Sequence, residues 1–186
     1  MTRKVALVLL HHPVVDRQGE VVTSAITNLD LHDIARSAFT YGVDRFYVAH
    51  PVEAQRTLAL RVRTHWVDGS GARRIPDRKL AMTQLSVVAS LDDVIAELEG
   101  PVELWATTAA EGAPRLGYAE ARARVCQGEG TLLLLFGTGW GLAPSVFEQV
   151  SQVLVPIRSP RVDGYNHLSV RAAVAIILDR LLGNAS

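Results

Sequence analysis

Two short segments in the C-terminal half combine residue types suited to holding a ligand. The first is Gly137-Thr138-Gly139-Trp140-Gly141, directly behind the apolar run Leu132–Phe136. Glycines at alternate positions let the chain turn sharply and let a ligand approach main-chain amides without Cβ obstruction. Three readings compete. A Rossmann dinucleotide loop expects its glycines after the first strand and an acidic residue about twenty positions on. A phosphate loop needs a Lys-Ser or Lys-Thr pair behind the glycines, and none follows. A structural glycine turn is the plain alternative.

The second segment opens the last predicted helix, Asn166 to Leu182. Leu168, Val170, Ala172, Ala173, Val174, Ile176, Ile177, Leu178, Leu181 and Leu182 surround that helix with apolar groups, as in a buried or interface helix. Its first turn nevertheless carries Asn166, His167 and Ser169, where free amides are presented. Capping accounts for one of the three, most simply Asn166. A base role is open to His167, although a lone histidine is more often a hydrogen-bonded structural group.

Other chemistry-bearing residues are scattered. His11, His12 and His50 lack matching cysteine or carboxylate spacing for a metal, and read as loop residues at strand ends. Between Arg56 and Lys79 stand Arg56, Arg61, Arg63, Arg73, Arg74, Arg78 and Lys79 against Asp68 and Asp77. With Trp66 they could meet RNA by phosphate pairing and stacking; a solvated surface is the competing view.

These residues need a frame. Val5–Leu10 is a continuous apolar run, as for a strand buried on both faces. Further strands are expected at Arg45–Ala49, Leu85–Ala89, Val102–Thr107, Thr131–Phe136 and Val153–Ile157. Residues 11–29 read as a polar connection. Helices are expected from Asp30 as cap to Gly42, from Pro51 to Thr64, and over Leu91–Glu99, Tyr118–Val125 and Pro144–Val150. Gly69, Gly71 and Pro76 mark Trp66–Arg78 as an exposed loop. Alternating strands and helices predict one α/β domain over 1–186, with a mainly parallel sheet and helices on both faces. Ligands of such sheets sit beyond the carboxyl ends of the strands, here Ala106–Ala110, Gly137–Gly141 and Pro156–Gly164.

The totals set bounds. A chain of 186 residues, 48% hydrophobic and 20% charged, has the makings of a substantial core. Its apolar runs are too short to span a bilayer, and residues 1–10 read as a strand, not a secretory signal. One cysteine, Cys126, excludes an internal disulfide, so a cytoplasmic location and no membrane partner are expected. Nineteen basic and nineteen acidic side chains give no global support for nucleic-acid binding, which leaves the local basic stretch.

Phe136-Gly137-Thr138-Gly139-Trp140-Gly141-Leu142, then Pro156-Ile157, then Tyr165-Asn166-His167-Leu168-Ser169-Val170-Arg171-Ala172-Ala173 resemble, in order and spacing, the C-terminal motifs of the SPOUT RNA methyltransferases. Asp30-Leu31-His32-Asp33-Ile34-Ala35-Arg36-Ser37-Ala38 followed by Tyr41-Gly42-Val43 is similar to the N-terminal motif of the SpoU-like branch. Within the class, the chain is most similar to a small bacterial subgroup with little beyond the knotted domain; the resemblance leaves its RNA target open. It departs from the motifs at Asp30 and His167, each standing where an asparagine is usual, which puts the methylated atom in doubt.

The resemblance implies a deep C-terminal trefoil knot, with residues 1–100 bearing RNA-facing loops and 101–186 binding S-adenosylmethionine (SAM). It implies cofactor contacts from Thr107, Thr108, Phe136, Gly137, Thr138, Gly139, Trp140, Gly141, Leu154, Pro156, Ile157, His167 and Leu168. Arg36, Ser169 and His167 are the candidate catalytic groups, Arg36 for RNA phosphate or transition-state charge because guanidinium stays protonated. The expected activity is methyl transfer to tRNA or rRNA by a homodimer without metal. A noncatalytic SAM- or RNA-binding module of the same fold is the alternative.

Overall fold

A computed structural model describes residues 3–110, 112 and 115–184. In chain order the elements are β1 (Lys4–Leu10), β2 (Val14–Val15), β3 (Val21–Val22), α1 (Asn28–Thr40), β4 (Arg45–Ala49), α2 (Glu53–Val67), α3 (Ser70–Arg74) and α4 (Pro76–Thr83). There follow β5 (Leu85–Val88), α5 (Leu91–Glu97), β6 (Val102–Ala106), α6 (Tyr118–Gln127), β7 (Thr131–Gly137), α7 (Pro144–Phe147), β8 (Gln152–Val153) and α8 (Val170–Leu182). Six strands form one parallel sheet in the order β5-β4-β1-β7-β6-β8.

The two apolar runs lie side by side at its centre, Lys4 opposite Thr131 and Leu10 opposite Gly137. Alternate residues enter different cores. Val5, Leu7, Leu9, Leu132, Leu134 and Phe136 pack with residues of α1, α6 and α8, while Ala6, Val8, Leu10, Leu133 and Leu135 pack with α5 and α7. Burial on both faces is why these strands show no alternation in sequence. The α/β class, the parallel sheet and the helices on both faces agree with expectation.

Several local expectations are corrected. Trp66–Arg78 is not a loop: α2 runs on to Val67, and α3 and α4 follow. Gly71 is there for close approach, since a Cβ would lie 2.7 Å from Trp66 Cε3. Asp30 is not the cap of α1. Thr27 is, its hydroxyl accepting the Asp30 amide. The last helix starts at Val170 with Ser169 as cap, while Asn166 donates from Nδ2 to the Ile157 carbonyl at 2.9 Å. The last strand is only Gln152–Val153, and residues 11–29 contain the hairpin β2–β3.

Candidate functional site

Beyond the carboxyl ends of β6 and β7 lies a cavity of about 860 Å³. Three predicted segments build it. After β6, Thr107 is tied by its amide and hydroxyl to the Leu135 carbonyl, and Thr108 to Ala110 continue the wall. After β7 comes Phe136 to Gly141. After β8, Leu154 is held by its amide to the Ala106 carbonyl, with Ile157 and residues 166–171 closing the ring.

The glycine loop is fixed from outside. Val15 accepts the Trp140 amide at 3.0 Å and donates to the Gly141 carbonyl at 2.9 Å, so the hairpin β2–β3 braces it. Gly139 has φ +60°, which favours glycine, and a Cβ there would stand a tight 3.0 Å from the Val15 carbonyl oxygen.

Thr107, Thr108, Phe136, Gly137, Thr138, Gly139, Trp140, Gly141, Leu154, Ile157, His167, Leu168 and Ser169 all line the cavity. Pro156 is buried but does not line it, and Arg36 lies exposed on α1, also outside the lining. Trp140, His167 and Tyr165 form an edge-on aromatic group at the mouth, with ring centroids 6.4 and 5.3 Å apart. Sequence reasoning missed the wall supplied by Ser24, Ala25 and Thr27; Asp30 and Arg171, both within the quoted motifs, line the cavity as well. For 24–27 the available signal is polarity, which reads equally as an ordinary loop.

Behind this wall is a buried polar network. His11 and His50 stand just past the ends of β1 and β4, as expected, and are 0% and 1% exposed. His11 Nδ1 lies 2.9 Å from Ser24 Oγ, and Ser24 Oγ is hydrogen-bonded to Thr138 Oγ1 of the glycine loop. His50 donates from Nε2 to the Ser24 carbonyl and accepts the Val52 amide at Nδ1, as a neutral imidazole does.

Burial, reinforced by His50, pushes the His11 imidazole from 6.5 down to about 4. The folded protein therefore resists a proton that the unfolded chain accepts. Stability is complete above pH 6.5 and falls as pH drops toward about 4, by roughly 3 kcal/mol. His11→Gln is expected to flatten this decline in urea unfolding between pH 7 and 4.5; an undiminished decline contradicts the assignment.

Residues 4–183 match a family described as SAM-dependent RNA methyltransferase. The chain belongs to this family. Two relatives named "tRNA (guanine-N(1)-)-methyltransferase", from Oleidesulfovibrio alaskensis and Nitratidesulfovibrio vulgaris, are 42% and 45% identical over 98% of this chain. The chain spans less than half of the length of each, 43%. Its fold is similar to that of the SpoU methyltransferase AviRb from Streptomyces viridochromogenes, solved in complex with the cofactor AdoMet. The TM-score is 0.57 at 14% identity, over 98% of this chain and 58% of that chain.

Proposed function

We propose that this chain transfers the methyl group of SAM to a nucleotide of tRNA or rRNA, with SAM held in the cavity beyond β6, β7 and β8. The convergence of three backbone loops on one cavity carries the reading. Main-chain groups of Phe136–Gly141 and of 154–157 would hold the adenine and amino-acid ends. Leu154, Ile157 and Leu168 exclude water, and Thr107 and Thr108 close the side wall. Methyl transfer from a sulfonium is an in-line displacement with an already activated donor. The protein's work is alignment and management of the acceptor's proton.

The proposal includes a threaded C-terminal knot over 101–186 and a cytoplasmic homodimer in which a second subunit completes the site. Exposed Leu29, Phe39 and Leu168, 61%, 47% and 47% accessible, support such an apolar contact. RNA would approach over the first hundred residues, where Arg61, Arg73, Arg74 and Lys79 are exposed. Ser169 acts here as helix cap, and His167 stands at the mouth to meet the acceptor nucleotide.

Calorimetric titration with SAM, S-adenosylhomocysteine and NAD tests the reading. Binding of the first two and not of NAD is expected; the reverse contradicts it. Since Arg36 is exposed and outside the cavity lining, Arg36→Ala is expected to leave SAM affinity unchanged and slow transfer to RNA about tenfold, through a lost phosphate contact. Unchanged transfer removes Arg36 from the site.

A further inference from the structure

We propose that Trp140 and Tyr165 form a stacking platform for the acceptor nucleotide's base, which reaches the cavity only after leaving its stack in the RNA. The inference rests on the cavity being the SAM site. It assigns the Trp140 side chain, where that reading uses the main chain of the same loop. The three tryptophans have different surroundings. Trp105 is fully buried, and Trp66 packs against the core beneath the Arg78 guanidinium, 4.5 Å from its ring centroid. Trp140 and Tyr165 are each 60% exposed and stand outside both cores. Rings so open to water contribute little to the fold.

Their placement is nevertheless fixed. Val15 holds the Trp140 amide and the Gly141 carbonyl. The Tyr165 amide donates to Asp163 Oδ1 at 3.1 Å, and Arg161 grips the same carboxylate. Asn166 ties the next residue to the Ile157 carbonyl. His167 meets both rings edge-on, so two separate loops present one aromatic group. Trp140 and His167 also line the cavity, which puts the platform beside the place where the methyl group would be delivered.

The occupant follows from ring chemistry. Every nucleobase has a flat π-face, and unpaired nucleotides are commonly held on aromatic side chains. A nucleotide that must enter a recess leaves its neighbours first, and stacking on the protein returns part of that cost. A second protein chain is the rival occupant. The loop bearing Tyr165 speaks against it, because residues 158–166 are aliphatic only at Pro160 and Val162. The centre of a subunit contact is more apolar than that. A chain seated on both rings would also cover the entrance that RNA must use.

Trp140→Phe, Trp140→Leu and Tyr165→Leu separate stacking from apolar contact, since leucine is apolar but has no π-face. Wild type and variants are compared by SAM calorimetry, by sedimentation, and by labelled-methyl transfer at varied concentrations of bulk RNA from cells lacking the protein. Trp140→Leu is expected to raise KM for that RNA about 30-fold, Tyr165→Leu about tenfold, and Trp140→Phe no more than about threefold. SAM affinity should stay within about threefold of wild type, and the oligomeric state should not change. Three results overturn the proposal. Trp140→Leu matching Trp140→Phe makes the ring an apolar cover, lost SAM binding makes it a cofactor contact, and an altered oligomer makes it a subunit contact. Wild-type protein that binds no SAM, or transfers no methyl, instead fails the reading of function itself, and this inference with it.

Discussion

Gly139→Val is expected to abolish detectable SAM binding while leaving the fold intact. Two effects act together. A β-branched residue at φ +60° is strained by about 1–3 kcal/mol. Its Cβ would also stand 3.0 Å from the Val15 carbonyl oxygen, which itself accepts the Trp140 amide. The loop must then shift against the hairpin that braces it, and the cavity wall over 136–141 loses its shape. About 4 kcal/mol of lost affinity is a thousandfold weaker Kd. The sheet core does not depend on the loop, so thermal unfolding should shift by only a few degrees. Wild-type affinity in calorimetry would show that this loop does not hold the cofactor.

Trp105→Ala carries the largest expected cost in stability, about 3–5 kcal/mol. Trp105 is fully buried in β6, donates from Nε1 to Glu103 Oε1 at 2.8 Å, and lies under the Arg3 guanidinium, 5.5 Å from the ring centroid. Arg3 in turn pairs with Glu103, so removing the indole leaves a void and two charged groups short of a packing partner. For a domain of this size the unfolding midpoint should fall by about 10 °C or more. Because β6 leads directly into Thr107, SAM binding should also weaken near the new midpoint. A loss below about 1 kcal/mol in urea unfolding would contradict the packing described.

The parts of this protein legible in sequence are those where one physical requirement dominates. Val5–Leu10 and Thr131–Phe136 are apolar without interruption because each strand is covered on both faces, and they prove to be central neighbours. Gly137–Gly141 is legible because so tight a turn needs glycine: Gly139 and Gly141 have positive φ, and a Cβ at Gly137 would meet Leu142. The hairpin β2–β3 is not. Two pairs of valines around 16–20 show no periodicity, and the turn is organised by Asp16 accepting the amides of Gln18 and Glu20.

Glycine was ambiguous at 69 and 71, where it permits helices to pack closely on His65 and Trp66 and does not mark an open loop. Caps were displaced for a related reason. Thr27 and Ser169 each had polar rivals three residues away, and choosing between them depends on which side chain the tertiary structure engages. Asp30 and Asn166 are drawn away, to Arg171 and to the Ile157 carbonyl. The cavity wall 24–27 is not legible in sequence because it becomes a wall only when β1 and β7 lie side by side.

Incubating a catalytic amount of the protein with methyl-labelled SAM and RNA from cells lacking it tests the central claim most directly. Label should accumulate in RNA well beyond one methyl per protein molecule, and Gly139→Val should incorporate none. SAM binding without any label entering RNA would contradict the account and leave a binding module in its place.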